Sequence, residues 1–241
     1  MEVVNDLLNY DNIKIVQNSD WFSFSLDSVL LANFVHVNNK MRIMDFCCGN
    51  APIPLILSTK TNSKITGVEI QKEVFSLAIK SVRLNNKEKQ IEIINEDVKN
   101  LHNIYETDSF DLITCNPPYF KYKNSSNINN NNTKALARHE LSLALEDVFK
   151  TAKKILKNNG KLVIVHRTER LIDIICLMRK YNLEPKRIRF IQPFSNSNSN
   201  LVLIEASKNG NAGLKIESNL IVHDENNNYT EEELEMFNNK K

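Results

Sequence analysis

Apolar strands and amphipathic helices alternate along this chain from Met41 onward, and this alternation limits the fold more than any other feature. Short apolar runs are typical of buried strands, whereas apolar residues three and four positions apart indicate helices. Their alternation predicts an α/β fold, a largely parallel, doubly wound sheet with helices on both faces. The strands are predicted at residues 41–46, 64–70, 91–94, 110–115, 162–165, 187–192 and 201–206. The helices are predicted from Pro52, from Val74, over 142–157 and over 168–181, with another at Asp27–Val35.

The composition is that of an ordinary globular protein. The 241 residues are 41% hydrophobic and 25% charged, which suits one large α/β domain. No apolar run approaches the roughly 18 residues of a membrane span, and the acidic N-terminus lacks the features of a secretory signal. The four cysteines match no paired zinc spacing, so we expect reduced, structural thiols and no metal. We therefore expect a cytoplasmic protein without a membrane partner, and a monomer is favoured.

The net charge of +2 hides an uneven distribution. Residues 221–241 carry six acids and two lysines, so the remainder of the chain is mildly basic. A basic body suits a nucleic-acid partner, because phosphate contacts supply much of the affinity for nucleic acids. Solvated lysines would explain the same charge equally well. The Asn-rich segment Lys123–Lys134 is interpreted as a polar loop.

The first candidate motif is a turn of small residues, Asp45–Ala51, between a strand and a helix. Small residues let the backbone approach a ligand closely, and the N-terminus of the following helix offers N–H donors. The complete G-x-G-x-x-G pattern of dinucleotide-binding proteins is absent. An ordinary strand-to-helix turn is therefore the alternative interpretation.

Two acidic residues follow the next two strands. Glu69 lies 24 residues after Asp45, a distance at which an acid can bind the hydroxyls of a ribose. Asp97 follows the third strand, where its carboxylate and the Val98 N–H could meet an adenine ring. The alternatives are an exposed carboxylate at a strand end for Glu69 and a helix cap for Asp97, and the cap is compatible with ligand binding.

The most specific motif is Asn116-Pro117-Pro118-Tyr119, which follows the predicted strand 110–115. Two prolines fix the backbone and remove two N–H donors, so that carbonyl oxygens remain as acceptors. The Asn116 side-chain oxygen and the Pro117 carbonyl could hold both hydrogens of a planar amine. Tyr119 offers a flat face on which a base could stack. This arrangement predicts that an exocyclic amine is held for attack on an electrophile.

Together these residues resemble the class I S-adenosylmethionine-dependent methyltransferases, in particular the amino-methylating group that carries N-P-P-Y or N-P-P-F. The resemblance covers residues 41–207 and implies a Rossmann-like sheet of seven strands with a reversed hairpin at one edge. Residues 1–40 would be a short N-terminal extension that packs on the core, and residues 208–241 an acidic C-terminal tail.

The resemblance also implies S-adenosyl-L-methionine as the cofactor. The first turn would hold the methionine part, the end of the second strand the ribose, and the third motif the adenine. The implied cofactor contacts are Asp45, Cys47, Gly49, Asn50, Ala51, Glu69, Ile70, Asp97, Val98 and Asn116, and the implied catalytic residues are Asn116, Pro117, Pro118 and Tyr119. Cys47 departs from the glycine that the family usually has, and its Cβ could crowd the cofactor.

The flanking segments resemble the bacterial enzymes that methylate N6 of adenine 37 in a valine tRNA. The matching segments are Phe22–Ala32, Ala137–Glu140, Leu220–Asp224 and Tyr229-Thr230. A tRNA substrate implies a base that leaves its stack and enters a pocket, where Tyr119 and Phe24 could stack on it. The cations expected at phosphates are Lys121, Lys123, Arg138, Arg167, Arg187 and Arg189.

Other functions stay open at this stage. Guanine-N2 in ribosomal RNA, adenine-N6 in DNA and glutamine-N5 in proteins are similar planar amines. The DNA and glutamine enzymes would normally need additional domains, for which this chain leaves little room. A noncatalytic nucleotide-binding module is the alternative from a different class.

Overall fold

The computed structural model describes residues 1–7, 10–18, 26–118 and 145–237. The strands are β1 (Glu2–Leu7), β2 (Tyr10–Asn18), β3 (Ile43–Phe46), β4 (Ile65–Glu69), β5 (Ile91–Asn95), β6 (Phe110–Cys115), β7 (Leu156–Arg167), β8 (Leu183–Phe194), β9 (Leu201–Lys208), β10 (Lys215–Ile216) and β11 (Leu220–His223). The helices are α1 (Leu26–Phe34), α2 (Pro52–Lys60), α3 (Lys72–Leu84), α4 (Leu101–Ile104), α5 (Leu145–Ile155), α6 (Leu171–Lys180) and α7 (Glu231–Phe237), with short 3₁₀ helices at Val98–Asn100 and Thr168–Arg170.

The central sheet has the order β10-β8-β9-β7-β6-β3-β4-β5, and β11 also pairs with β8. Strands β3 to β7 are parallel to one another, whereas β9 runs antiparallel to both of its neighbours, β7 and β8. The predicted α/β fold with a mostly parallel sheet and a reversed edge hairpin is therefore confirmed. The sheet is larger than predicted, because β10 and β11 extend it beyond seven strands.

Two hydrophobic cores lie on the two faces of this sheet. Along the buried strands, alternate residues point to opposite faces. Ile43 joins the core formed with α1, α2 and α3, whereas its neighbour Met44 joins the core formed with α5 and α6. Val163 and Ile164 divide in the same way. Because both faces are covered, the strands are continuously apolar, which explains why they are readily recognised in the sequence.

The N-terminal extension contains an antiparallel hairpin, β1–β2, that the sequence analysis did not predict. The hairpin is tied to the core through Val16 of β2. Its N–H donates to the Ser81 hydroxyl at 2.9 Å, and its carbonyl accepts from the Asn50 side chain at 3.0 Å. The predicted helix at Asp27–Val35 is present as α1.

The C-terminal segment also packs on the core. Strand β11 pairs in parallel with β8, and Leu220 and Val222 are buried. The Thr230 hydroxyl donates to the Ile221 carbonyl at 2.7 Å, immediately before α7. The acidic residues of this segment therefore lie on an ordered part of the structure.

We expect Gly67→Ala to destabilise the protein, because β4 leaves no room for a methyl group. An added Cβ would lie 2.7 Å from Ile93 Cδ1 and 2.9 Å from Cys48 Sγ. Overpacking of this kind typically costs about 1–3 kcal/mol of unfolding free energy, measurable by urea denaturation. Adding Ile93→Val, which removes Cδ1, should recover part of the loss. Stability equal to the wild type, or purely additive losses in the double variant, would contradict this account.

Candidate active site

Four adjacent parallel strands, β6, β3, β4 and β5, end at one edge of the sheet. Phe46 of β3 lies beside both Cys115 of β6 and Val68 of β4. Glu69 at the end of β4 lies beside Asn95 of β5. The structure therefore brings the four sequence motifs together at this edge, as their positions after the strands predicted. Such an edge is where ligands bind in open parallel sheets.

The turn after β3 has an unusual backbone. Cys47, Gly49 and Ala51 have φ values of 56°, 57° and 75°, which lie in the left-handed region. Glycine adopts this region freely, whereas a residue with a Cβ loses about 1–2 kcal/mol there. The turn is held by the Cys48 N–H, which donates to the Val68 carbonyl at 2.9 Å, and by the Ala51 N–H, which donates to the Cys48 carbonyl at 2.9 Å.

Cys47 is half-buried in this turn. Burial raises the pKa of the Cys115 thiol, and the neighbouring Cys47 raises it further. Asn50 has a structural contact, since its amide reaches the hairpin at Val16. Cys48 and Cys115 are buried, as expected of structural thiols, whereas Cys176 is exposed.

Glu69 is buried at the centre of the site, with 5% of its surface exposed. Its Oε2 accepts from the Gly49 N–H at 3.0 Å, and its Oε1 accepts from the Gln71 N–H at 2.9 Å. Burial raises the pKa of the carboxyl, and these N–H donors oppose the rise. The interpretation as an exposed strand-end carboxylate is therefore wrong. The Ile70 N–H also contributes, and a carboxylate has about four acceptor sites, which is more than these three backbone donors.

Asp45 is fully buried beside the same turn. Its Oδ1 accepts from the Thr114 hydroxyl at 2.6 Å, whereas its Oδ2 has no hydrogen-bond partner among the described residues. Burial raises the pKa of Asp45 to about 8, the Thr114 hydrogen bond opposes the rise, and the charge of Glu69 adds to it. A buried polar atom without a partner is costly, and a ligand group at this atom would remove the cost. At a pKa of about 8 the carboxyl group is protonated at neutral pH in the ligand-free protein, and the positive charge of the expected cofactor would favour its ionised form.

The third motif, Asp97-Val98, caps a short helix and lies beside apolar side chains. Asp97 Oδ1 accepts from the Lys99 N–H at 2.9 Å and caps the 3₁₀ helix, the alternative role that the sequence allowed. Val98 is buried, whereas Ile70 is exposed at the same edge. The Asn95 amide donates to the Glu69 carbonyl at 2.7 Å and to the Ile70 carbonyl at 2.9 Å, which fixes the end of β4. An apolar side chain beside a capped turn provides a surface for a flat base.

Asn116, Pro117 and Pro118 follow β6 directly, and Pro117 is buried. The Asn116 Nδ2 donates to the hydroxyl of Ser28 at 3.0 Å. Ser28 belongs to α1 and was not singled out by the sequence analysis. The signal was weak, because Ser28 follows Asp27 and only the next four residues, Val29–Ala32, are continuously apolar.

The substrate-binding residues are only partly covered by the structure. Phe24, Tyr119, Lys121, Lys123 and Arg138 lie outside the described residues. Arg167 is exposed at the end of β7, on the same edge as Asn116 because β7 is parallel to β6.

Arg187 and Arg189 have partners within the fold. Arg187 pairs with Glu205 at 2.8 Å and with Glu217 at 2.9 Å. Arg189 pairs with Glu232 and donates to the Ser218 carbonyl at 3.0 Å. These pairings favour a structural role and disfavour the predicted contact of either guanidinium with phosphate.

The described residues contain no group of three or more His, Cys, Asp and Glu side chains that could hold a metal ion. No helix among them is long and apolar enough to cross a membrane.

Asp45 should make the stability of the ligand-free protein depend on pH. The folded state keeps a proton up to pH about 8, whereas an unfolded Asp releases it near pH 4. The free energy of unfolding should therefore fall as pH rises between these values, by up to about 1.4 kcal/mol per pH unit. Asp45→Asn should flatten the profile in urea denaturation at pH 5.5, 6.5 and 7.5. A smaller slope of the same sign should remain, because the pKa values of Glu69 and Glu233 are also raised.

The partly exposed Asp111 provides the control for this measurement, since it lies on the neighbouring strand β6. Asp111→Asn should keep the wild-type slope. Parallel pH profiles for the wild type and Asp45→Asn would contradict the proposed titration of Asp45.

Comparison with known proteins identifies the family of the chain. Residues 37–234 match a family described as a methyltransferase domain. A tRNA1(Val) (adenine(37)-N6)-methyltransferase of Parabacteroides distasonis is 27% identical, over 86% of this chain and 85% of that protein. The enzyme of the same name from Aeromonas hydrophila is 24% identical, over 87% and 86% of the two chains.

Solved structures show the same fold. A predicted O-methyltransferase from Agrobacterium tumefaciens superposes with a TM-score of 0.70 at 21% identity, covering 88% of this chain and 96% of that one. TrmN from Thermus thermophilus has a TM-score of 0.53 at 14% identity, covering 75% of this chain and 48% of that one. With the family match over most of its length and the strand-end site, the chain belongs to the class I S-adenosylmethionine-dependent methyltransferases.

Proposed function

We propose that this protein transfers a methyl group to N6 of an adenine in tRNA, in the cytoplasm. The substrate proposal is supported by the relatives from Parabacteroides distasonis and Aeromonas hydrophila, which are both named for methylation of adenine in tRNA. The chain covers 85% and 86% of their lengths. Those names point to adenine 37 of a valine tRNA. The mildly basic body of the chain is compatible with an RNA partner.

The observation that carries the proposal is the position of Asn116 and Pro117 at the end of β6. Strand β6 is adjacent to β3, which carries the buried Asp45, and β4, which carries the buried Glu69, is the next strand in the sheet. The lone pair of an exocyclic amine is delocalised into its ring, so the amine is a poor nucleophile. Two acceptors, Asn116 Oδ1 and the Pro117 carbonyl, would hold both amine hydrogens and direct the lone pair. They would also stabilise the positive charge that develops on nitrogen.

S-adenosyl-L-methionine supplies an electrophilic methyl group on a sulfonium. Glu69 would accept from the ribose hydroxyls. Asp97 and Ile70 would contact the adenine of the cofactor, and Asp45 would complement its positive charge. The new N–C bond forms as the S–C bond breaks, and the amine proton then leaves to water, so no dedicated base is needed.

The target adenine would leave its stack and enter this edge of the sheet. Among the described residues proposed to contact phosphate, Arg167 is exposed at the same edge of the sheet as Asn116. Two roles stay predictions. Base stacking is assigned to Phe24 and Tyr119, and phosphate contact to Lys121, Lys123 and Arg138. Arg187 and Arg189 are not part of the proposed interface.

Asn116→Ala should lower kcat by about 10²–10³-fold, the usual effect of removing one polar group that stabilises developing charge. The test is transfer of labelled methyl to total tRNA, ribosomal RNA and DNA, followed by nucleoside analysis. The wild type should produce N6-methyladenosine in tRNA. Asn62→Ala, in an exposed turn before β4, is the control and should retain activity.

Near-wild-type turnover of Asn116→Ala would contradict the role of the amide. Label in guanine of ribosomal RNA, in DNA or in protein, without label in tRNA, would overturn the proposed substrate.

Gly49→Ala should weaken cofactor binding much more than it weakens the fold. No heavy atom of the described chain lies within 4 Å of an added Cβ, so the methyl would enter the open side of the turn. We expect the Kd for S-adenosylmethionine in calorimetry to rise at least about tenfold, whereas the left-handed backbone should cost only about 1–2 kcal/mol of stability. Gly213→Ala, which is also strained at a φ of 130°, should lose stability without losing affinity. Unchanged affinity in Gly49→Ala would remove this turn from the cofactor site.

A further inference from the structure

A buried hydroxyl on α1 contacts the amide of Asn116. Ser28 is 5% exposed, and its Oγ lies 3.0 Å from Asn116 Nδ2, although the two residues are 88 positions apart. The neighbours of Ser28 on α1, Val29 and Leu30, are fully buried in the core. The hydroxyl is therefore mounted on a rigid helix and not on a loop.

The orientation of an asparagine amide decides what it can bind. Its nitrogen donates two hydrogen bonds and its oxygen accepts. An amine substrate brings hydrogens, so only the oxygen of Asn116 can hold it. A flipped amide would direct its own N–H groups at those of the substrate, and the two sets of donors would repel.

We infer that Ser28 is a positioning residue for methyl transfer, because its hydroxyl accepts from Asn116 Nδ2 and thereby keeps Asn116 Oδ1 turned toward the substrate amine. The inference rests on the proposed function of Asn116. The planar amide places its oxygen on the opposite side from the nitrogen that Ser28 holds. Ser28 does not touch the substrate; it acts through Asn116 alone.

The contact also gives the N-terminal extension a part in the reaction. Helix α1 packs against α2, β7 and β9. Its buried residues belong to the core that also contains Ile43 of β3 and Val163 of β7. The end of β6 supplies Asn116, whereas α1 supplies the group that orients it. A polar group that is preorganised for catalysis needs rigid supporting contacts, because a displacement of the group by about 1 Å can lower the rate strongly.

The test compares Ser28→Ala with Ser28→Thr in tRNA methylation. Ser28→Ala removes the acceptor and should lower kcat at least about tenfold, while the KM for tRNA and the Kd for S-adenosylmethionine change less than about twofold. Ser28→Thr keeps a hydroxyl at the same position and should retain most of kcat.

Ser58→Ala is the matched control. Ser58 is also a buried serine on a helix, with 5% of its surface exposed, and its hydroxyl donates to the Leu55 carbonyl at 2.7 Å. Its loss should lower the unfolding free energy without a specific loss of kcat. A merely structural role of Ser28 would give Ser28→Ala the same behaviour as Ser58→Ala.

A second comparison introduces Ser28→Ala into the Asn116→Asp variant. In Asn116→Asp, the two carboxylate oxygens are equivalent, so no wrong orientation exists. Ser28→Ala should then reduce kcat much less in the Asn116→Asp background than in the wild type. Equal losses in both backgrounds would overturn the inference.

The outcomes separate this inference from the proposed function. Loss of activity in Asn116→Ala together with wild-type kcat in Ser28→Ala overturns the role of Ser28 alone. Full activity in Asn116→Ala overturns the proposed function itself. If Ser28→Ala does not fold, Ser28→Cys keeps the side-chain size with a much weaker acceptor and should show the same selective loss of kcat.

Discussion

The hydrogen bond from the Gly49 N–H to the buried Glu69 carboxylate is the interaction on which the rest of the site depends. It joins the turn after β3 to the end of β4. The Thr114 hydroxyl joins β6 to Asp45 of β3, and the Asn95 amide joins β5 to the end of β4. These links hold four strand ends in one arrangement. They also bury two carboxylates with raised pKa values, a cost that a cationic ligand would offset.

The N-terminal extension completes this arrangement from outside the central sheet. Strand β2 accepts from the Asn50 side chain in the turn, and α1 accepts from the Asn116 side chain through Ser28. Both ends of the proposed reaction path, the cofactor turn and the amine acceptor, therefore depend on residues before Met41. The hairpin and α1 have a role in the site beyond covering one face of the sheet.

The sequence predicted the buried strands best, because continuous apolar runs carry the strongest local signal. Strand β6 matches its prediction residue for residue, whereas β1 is mostly exposed and half polar and gave no such signal. The C-terminal strands depend on pairing with β8, which no local pattern reports. The sequence also predicted correctly that the four motifs follow strand ends at one edge of the sheet. The left-handed conformation of Cys47, the burial of Glu69 and the carboxylate partners of Arg187 and Arg189 depend on tertiary contacts, so the sequence could not supply them.

The central claim is that these strand ends form one cofactor site beside an amine acceptor. A crystal structure with S-adenosylhomocysteine and an adenine-containing anticodon-loop RNA tests it most directly. The account predicts ribose hydroxyls at hydrogen-bond distance, about 2.6–3.2 Å, from the Glu69 carboxylate, and the target N6 at the same distance from Asn116 Oδ1 and the Pro117 carbonyl. A ribose held elsewhere, or a target base that does not reach Asn116, would contradict it.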